Sequence, residues 1–534
     1  MKVMDQALRT ALDGDAAYRG LVARDARLDG RLFVGVTSTG VYCRPVCRVR
    51  TPRRENCRFF ETPAQAEAAA FRPCLKCRPE IAPGAGFAWS VMDASRTLAR
   101  QAAALLVGDA DAGGLDAAAD EPLAAVAAVA GRLGVSDRHL RRIFAAEHGV
   151  TPLQYLQTRR LLLAKQLLTD SDLPVAQVAL ASGFRSVRRF NAAFAGSYRL
   201  SPSRLRREAA HGAAPQASEG MRATLAFREP YDRAALLRFL SQRAIPGVEH
   251  VEATRVRRSV RAGLFGESAG WVEVEFAPAQ RRSRAAVRPP SVSDARPLVT
   301  LRCSPSLVLG AGGLIAAVRR WFDLDADPLA IDAALAGLPG GAGLRLPGGL
   351  DAFELVVRAI LGQQVTVGAA RTLAARLVAR YGEAVTTPWA EVQRAFPAPA
   401  VLAGGAAGTS ADADPVVAEL GAQGIIRSRG AAIVGVARAW PEIAPLAAPQ
   451  APPQALVERL RAVPGIGPWT AAYVAMRVLG WADAFPPGDA AVLNALGLGR
   501  GARAERVADD RSQAWRPWRA YAVLKLWNSL EQTP

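Results

Sequence analysis

The spacing of apolar residues changes along the chain and predicts where helices and strands lie. In two long stretches, 86–210 and 305–534, apolar positions recur at helical spacing and are separated by glycine and proline turns. Between these stretches, apolar and polar residues alternate over three short segments, a period that is typical of strands. The three segments are Thr224–Phe227, Trp271–Phe276 and Leu298–Cys303, and a helical pattern over Asp232–Arg243 lies among them.

Segments of low complexity, rich in small and polar residues, mark the boundaries between these regions. The acidic, Ala- and Gly-rich stretch Val107–Glu121 predicts a loop, and HGAAPQASEG at 211–220 predicts a flexible linker between two halves. A chain of 534 residues is too long for one hydrophobic core. We therefore expect a multidomain protein with these parts in order: a cysteine-rich module at 1–85, a helical domain at 86–210, the linker at 211–220, an α+β subdomain at 221–304 and a second helical domain at 305–534.

A pattern of about 50 residues occurs twice within the first helical domain. Each copy predicts a helix, a glycine turn and a second helix, which is the helix-turn-helix layout. A serine precedes each second helix, where its hydroxyl can cap free backbone N–H groups. The matching positions are Gly134, Ser136, Leu140, Phe144 and Pro152 in the first copy and Gly183, Ser186, Phe190, Phe194 and Pro202 in the second.

Positive charge is concentrated in this repeat. The whole chain carries a net charge of +19, and residues 131–210 hold 14 Lys and Arg against 5 Asp and Glu, a net +9. Such a chain attracts polyanions, nucleic acid first and anionic membranes second. The doubled motif resembles the AraC-type DNA-binding domain over 121–208, with a protein-binding helical bundle as the alternative. Its candidate DNA contacts are Arg138, Arg141 and Arg142 in the first copy and Arg185, Arg188, Arg189 and Asn191 in the second, and each can bind phosphate or read a base edge.

The chain shows no features of a membrane or secreted protein. Residues 1–20 mix charges without an apolar core, and no apolar run approaches the roughly 20 residues that span a bilayer. We expect a cytoplasmic protein that does not bind membranes and acts as a monomer.

The cysteines are clustered and fall into two closely spaced pairs. Five of the six lie within 35 residues, which in a reducing cytosol favours metal binding over disulfides. Four thiolates suit one tetrahedral Zn²⁺, and such a site can fold a small module. The pairs are Cys43 with Cys47 and Cys74 with Cys77, whereas Cys57 and Cys303 stand apart. Spacing alone is also consistent with a zinc site that is purely structural.

The sequence around these cysteines resembles the N-terminal domain of the adaptive-response regulator Ada over roughly 1–80. The match rests on FVGVTSTGVYCRPVC at 33–47, EN at 55–56 and FRPCLKC at 71–77. The resemblance implies that Cys43, Cys47, Cys74 and Cys77 bind one Zn²⁺ and that Cys43 also accepts a methyl group from a methylphosphotriester in DNA. It places Cys57 outside the motif, as an ordinary core residue. Methylation would change the formal charge of the zinc centre from −2 to −1 and so strengthen DNA binding.

A glycine-rich turn near the C-terminus is the most informative motif of the second half. LRAVPGIGPWTAAY at 460–473 places Gly465 and Gly467 between two helices, where backbone N–H groups can hold a DNA phosphate. It resembles the helix-hairpin-helix of DNA glycosylases. The motif FPPGD follows and ends at Asp489, the spacing at which that superfamily has its catalytic carboxylate.

Further motifs resemble the AlkA type of 3-methyladenine DNA glycosylase over about 221–534. They are LRLPG at 344–348, DAFE at 351–354, RAILGQQV at 358–365 and WRPWRAYAVLKLW at 515–527. The resemblance implies an aromatic base pocket at Trp469, Tyr473 and Trp527, and a gap-filling residue at Gln364. Gly488 departs from the pattern, because the best-known members have a second acidic residue there, and we expect this to affect loop geometry.

These resemblances predict a fold class, an activity and partners. We expect a small four-cysteine zinc α+β module, an all-α AraC-type double helix-turn-helix, an α+β subdomain and an all-α helix-hairpin-helix glycosylase domain. The activity implied is excision of N-alkylated purines from double-stranded DNA, combined with regulation at a promoter operator and contact with RNA polymerase. Trp469 stands where lyases have a Schiff-base lysine, which predicts a monofunctional enzyme. No cysteine follows Cys303, so no iron–sulfur cluster is expected. The alternative is a regulator whose glycosylase-like half only binds DNA.

Overall fold

The computed structural model describes residues 14–84, 94–108, 122–210, 220–276, 297–404, 414–449 and 451–531. Internal contacts divide the chain into two compact units. The first unit comprises Met1–Arg228 and Phe276–Ile315, and the second comprises Glu229–Glu275 and Ala316–Pro534. Two predicted segments lie outside the described residues: residues 211–219 of the linker and residues 109–121 of the loop. The predicted loop begins too early, because a helix continues through Val107 and ends at Gly108.

The first unit begins with a small mixed sheet whose strand order is β3-β1-β2-β4. Strand β1 pairs antiparallel with β2 and β3, and β2 pairs parallel with β4. The side chain of Thr62 accepts the N–H of Gln65 and so begins the second of two flanking helices. The elements are α1 (Gly14–Val22), β1 (Phe33–Val36), β2 (Val41–Cys43), β3 (Cys57–Phe60), α2 (Pro63–Ala68) and β4 (Arg72–Pro73).

Over residues 94–108 and 122–210, seven helices follow in the first unit and contain the predicted repeat. The two serine caps are confirmed: the Ser136 hydroxyl accepts the N–H of His139, and that of Ser186 accepts the N–H of Arg189, both at 3.3 Å. A long central helix, α6, joins the two helix-turn-helix motifs, α4–α5 and α7–α8. The helices are α3 (Ala94–Gly108), α4 (Pro122–Arg132), α5 (Asp137–His148), α6 (Pro152–Asp170), α7 (Val175–Ala181), α8 (Val187–Tyr198) and α9 (Pro202–Ala210).

The first unit also contains two antiparallel strands from the predicted α+β subdomain. Strand β5 (Met221–Ala226) pairs with β9 (Leu298–Cys303), with Thr224 opposite Thr300. Both coincide with, or overlap, segments that the alternating pattern predicts to be strands. The inward residues of β5, such as Ala223 and Leu225, are almost completely buried.

The described residues of the second unit include three antiparallel strands, β6 (Glu249–Val251), β7 (Arg255–Val260) and β8 (Gly270–Phe276). The last residue of β8, Phe276, is assigned to the first unit. Helix α10 (Arg233–Arg243) precedes these strands, capped by the Asp232 side chain. Buried charges connect these strands to the helices: Arg258 bonds both Glu249 and Glu354, at 2.9 and 2.6 Å. Burying charges in pairs keeps each one satisfied away from water.

Helices form the rest of the second unit around an apolar core. The core includes the fully buried residues Phe353, Val356 and Ile360. Helix α11 (Ala311–Trp321) contains the boundary between the units. The remaining helices are α12 (Pro328–Ala334), α13 (Ala352–Leu361), α14 (Val367–Tyr381), α15 (Pro399–Leu402), α16 (Pro415–Ala422), α17 (Arg427–Ile443), α18 (Pro453–Arg461), α19 (Pro468–Leu479), α20 (Ala490–Ala495), α21 (Ala502–Ser512) and α22 (Arg519–Glu531).

Candidate functional site

Two cysteine pairs meet because strands β2 and β4 run side by side. Cys43 ends β2 and Cys74 follows β4, and the Cys74 N–H donates to the Tyr42 carbonyl at 2.9 Å. The sulfur atoms of Cys43, Cys47, Cys74 and Cys77 all lie within 4.8 Å of one another, and all four residues are buried. The structure therefore assembles the four cysteines that the spacing predicts.

The cysteine geometry fits a tetrahedral metal. Zn–S bonds of about 2.3 Å place four sulfurs about 3.8 Å apart, close to the observed cluster. The backbone N–H of Arg44 donates to the Cys77 sulfur at 3.3 Å, a contact that suits a thiolate. Neighbouring sulfurs and burial raise the pKa of the Cys43 thiol, and a bound cation would stabilise four thiolates at this spacing. Cys57 lies elsewhere, packed with Leu21 and Val34, as predicted.

A cleft of about 1010 Å³ opens in the second unit and holds the predicted glycosylase residues. Helices α18 and α19 form the hairpin beside it, and Gly467 begins α19. Gly465 has a φ of +88°, and a side chain there would meet the Cβ of Ala432 at 3.0 Å, so the turn requires glycine. The lining includes Gln364, Gly465, Gly467, Trp469, Tyr473, Asp489 and Trp527.

The carboxylate of Asp489 is fixed by three N–H donors. The indole Nε1 of Trp469 donates to Oδ2 at 2.8 Å, and that of Trp527 donates to Oδ1 at 3.1 Å. The backbone N–H of Val492 donates to Oδ1 at 2.8 Å, because Asp489 also caps α20. Gly488 has a φ of +67°, so glycine suits the turn that aims this carboxylate. Three donors suit a charged acceptor and leave the carboxylate in one orientation.

Three aromatic rings line the cleft beside this carboxylate. Trp469 and Tyr473 stack with ring centres 5.0 Å apart and an angle of 9° between planes. They lie one helical turn apart on α19, so the same face of the helix presents both. Trp527 lies 6.3 Å from Tyr473 at an angle of 47°. The wall beside the carboxylate is therefore aromatic.

An arginine that the sequence analysis does not identify holds this wall in place. Arg477 donates to the Tyr473 hydroxyl at 2.8 Å and to the backbone carbonyls of Pro347 and Gly348. Burial raises the pKa of Tyr473, but the positive charges of Arg477 and Arg243 outweigh it and lower that pKa. The i, i+4 spacing of Tyr473 and Arg477 is a signal that could have indicated this bond.

The turn between α13 and α14 carries Gln364, which is exposed and has a φ of +53°. The preceding residue, Gln363, connects this turn to the hairpin. Its side-chain amide donates to the Gly465 carbonyl at 3.0 Å and to the Thr470 hydroxyl at 3.1 Å. Sequence reasoning also missed Gln363, because nothing in its local pattern distinguishes it from Gln364.

The predicted DNA contacts of the repeat lie on the exposed surface at the start of α5 and α8. Arg141 bonds Asp137 at 2.9 Å, and Arg142 bonds the Nδ1 of His139 at 3.2 Å. An exposed pair of this kind contributes little to stability, so its arginine can exchange partners. The exposed residues are Arg138, Arg141, Arg142, Arg185, Arg188, Arg189 and Asn191.

Three family models match separate parts of the chain. Residues 16–80 match the metal binding domain of Ada, 129–208 a helix-turn-helix domain, and 222–351 the AlkA N-terminal domain. The fold and the sites define a multidomain DNA-repair and regulatory protein with a cysteine metal site, a DNA-binding helix-turn-helix domain and a helix-hairpin-helix glycosylase domain.

Full-length similarity then identifies the family. The chain is 34% identical over 531 residues to a probable bifunctional transcriptional activator/DNA repair enzyme AlkA of Mycobacterium tuberculosis, covering 97% of both chains. The protein belongs to this family of AlkA-type bifunctional proteins. It is 35% identical over 309 residues to DNA-3-methyladenine glycosylase 2 of Escherichia coli, covering 57% of this chain and 96% of that one. It is 30% identical over 175 residues to the Escherichia coli enzyme Ada, of which it covers 44%.

Among the described residues, no helix combines the length and the apolar character needed to span a membrane.

Proposed function

We propose that the C-terminal half hydrolyses the glycosidic bond of N-alkylated purines, such as 3-methyladenine, and leaves an abasic site. The observation that carries the proposal is the carboxylate of Asp489, held at the cleft by the indole N–H groups of Trp469 and Trp527. A module that only binds DNA has no need of a carboxylate aimed into an aromatic cleft. Similarity to the Escherichia coli glycosylase supports the same activity.

The target base must leave the duplex to reach this cleft. Gln364, on its exposed turn, would occupy the space left in the stack, and the backbone N–H groups at Gly465 and Gly467 would hold a phosphate. An alkylated purine is cationic, and an aromatic face attracts a cation by about 0.5–2 kcal/mol. Trp469, Tyr473 and Trp527 supply such faces.

Bond cleavage places positive charge on the sugar, where the Asp489 carboxylate stabilises it. The bonding electron pair leaves with the base, which becomes neutral. Water then forms the new C–O bond, and its proton passes to the carboxylate or to solvent. Trp469 offers no amine for a Schiff base, so the reaction stops at the abasic site.

Release of 3-methyladenine from alkylated duplex DNA tests this proposal. The wild type should release the base, and Asp489→Asn should be at least about a thousandfold slower, because the amide carries no charge. Asp510→Asn, an exposed change on α21, is the matched control and should behave as the wild type. Absence of release by the wild type would favour a half that only binds DNA.

We also propose that Cys43, Cys47, Cys74 and Cys77 bind one Zn²⁺ and that Cys43 accepts a methyl group. Bound zinc would keep the cysteine sulfurs as thiolates at neutral pH. The Cys43 sulfur attacks the methyl carbon of a DNA methylphosphotriester, the S–C bond forms, the C–O bond breaks and the phosphodiester anion departs. The net charge of the site then becomes less negative by one, which reduces its repulsion from DNA.

Mass spectrometry after incubation with methylated DNA tests the second activity. One methyl group should appear on the peptide that contains Cys43, and Cys43→Ser should remove it. Cys57→Ser should retain both the methylation and one zinc per chain, because Cys57 lies outside the cluster. Zinc without methylation would leave a purely structural site. The DNA affinity of the helix-turn-helix domain for an operator should rise on methylation.

A further inference from the structure

Three of the cluster cysteines are each followed by an arginine, and two of these arginines, Arg44 and Arg78, each bond an aspartate. Arg44 follows Cys43 and Arg78 follows Cys77. The guanidinium of Arg44 bonds the Asp29 carboxylate, with Nε at 2.7 Å from Oδ1, and also donates to the Cys77 carbonyl at 3.1 Å. The guanidinium of Arg78 bonds the Asp170 carboxylate at 2.6 Å. Each arginine therefore connects the cysteine cluster to an aspartate.

Each aspartate in turn contacts the first segment of the glycosylase half. The second carboxylate oxygen of Asp170, Oδ2, accepts the backbone N–H of Thr224 on β5 at 2.9 Å. The backbone carbonyl of Asp29 accepts a guanidinium N–H of Arg228, two residues beyond β5, at 2.9 Å. Arg228 also donates to the Gly84 carbonyl at 2.7 Å.

Further contacts hold strand β5 against helix α6. The Gln166 amide donates to the Thr224 carbonyl at 2.9 Å, so both polar groups of the Thr224 backbone bond side chains of α6. The ion pair of Lys165 with Glu80 joins α6 to the segment after Cys77, and both side chains are 1% exposed. Gly30 has a φ of +77°, and a side chain there would meet the Arg228 guanidinium at 3.2 Å, so Arg228 packs closely against the cysteine module.

We propose that the cysteine module and helix α6 form a docking surface for strand β5, and that the metal state of the cysteine cluster is coupled to the docking of that strand. The occupant is the segment Gly220–Arg228 of this chain. The Arg44–Asp29 contact is buried and the Arg78–Asp170 contact is half-buried. A buried charge loses much of its stabilisation when its partner moves away. The coupling rests on the proposed zinc binding, whereas the docking does not. Under this proposal, the segment that follows the predicted linker is held within the first unit by side chains of the cysteine module and of α6.

The Thr224 N–H is a specific reporter of this docking, because its acceptor is a side chain of α6 rather than β9. Amide hydrogen exchange of the full chain should show it. Asp170→Ala should accelerate exchange at Thr224 at least tenfold and leave the zinc content unchanged. Arg204→Ala, which removes an exposed ion pair with Glu208 on α9, is the matched control and should leave Thr224 unaffected. Unchanged exchange in Asp170→Ala would overturn the docking.

Removal of zinc from the wild type tests the coupling without a substitution. Exchange at Thr224 should rise at least tenfold, while Val356 and Val357 in the core of the second unit keep their rates. Unchanged exchange at Thr224, or an equal rise at Val356 and Val357, would overturn the coupling. A chain that binds no zinc would refute the proposed metal site and the coupling with it, and the Asp170→Ala comparison would still decide the docking.

Discussion

The indole N–H of Trp527 donates to the Asp489 carboxylate at 3.1 Å across 38 residues of sequence. Trp469 donates to the other oxygen of the same carboxylate, so two helices, α19 and α22, orient one side chain. In the proposed mechanism, these tryptophans both stack on the base and aim the charge at the sugar.

Loss of one of these donors should reduce catalysis more than stability. Trp469→Phe keeps an aromatic ring but removes the N–H, and a hydrogen bond to a charged group contributes about 1.5–3 kcal/mol. We expect a roughly 10–100-fold lower kcat for base release. Trp389→Phe, which changes a tryptophan packed against Trp271 outside the cleft, is the control. Equal rates in all three proteins would show that the N–H has no catalytic part.

The Ser186 cap should stabilise the recognition helix of the second motif. Ser186→Ala removes the oxygen that accepts the Arg189 N–H and should lower the free energy of unfolding by about 0.5–2 kcal/mol in urea denaturation. Ser186→Gly should lower it by only a few tenths of a kcal/mol, because glycine is tolerated at N-caps. If both variants lose the same amount, the hydroxyl does not act as a cap.

Glu67 should make the first unit less stable as pH rises. Burial raises its pKa to about 7 from 4.5, partly offset by hydrogen bonds from Thr158 and Tyr42. Between these pH values the unfolded chain is ionised at this residue while the folded chain keeps its proton, so stability falls between about pH 4.5 and 7 and does not fall further above that range. The loss is about 3 kcal/mol. Glu67→Gln should flatten this pH dependence in chemical denaturation, and an unchanged slope would contradict the assignment.

Exposed arginines on α8 should contribute salt-dependent affinity for DNA. Arg188→Ala should weaken binding on all sequences and reduce the slope of log K against log salt by about 0.9, the effect of one phosphate contact. Asn191→Ala should instead lower discrimination at an adenine if it reads a base edge. Arg255→Ala, which breaks a pair with Glu275 in the second unit, serves as the control. A slope that does not change places Arg188 away from the DNA.

The cysteine cluster and the helix-turn-helix repeat follow from sequence because their signals are local. Pairs of cysteines three or four residues apart, and serines at helix starts, need no long-range information. The parallel pairing of β2 with β4, which joins the two cysteine pairs, is not local and was not predicted.

Strands β6 and β7 were missed for a different reason. Their residues include Glu249 and Arg258, and a pattern based on hydrophobicity predicts that such charged residues are exposed. In the structure both side chains are buried and bonded to each other, and Glu354 completes the set. A pattern of residue types cannot reveal that a charge has a buried partner in a distant element. The same limit applies to Arg477, whose acceptors include backbone carbonyls near residue 347.

The bonds from Gln363 to Gly465 and Thr470 have a mechanical consequence. They fix the distance between the turn that carries Gln364 and the hairpin proposed to hold a phosphate. In the proposed mechanism, the phosphate bound by the hairpin then determines which base pair the Gln364 side chain contacts in the DNA stack. The protein would therefore examine bases at a fixed number of nucleotides from the phosphate that it binds.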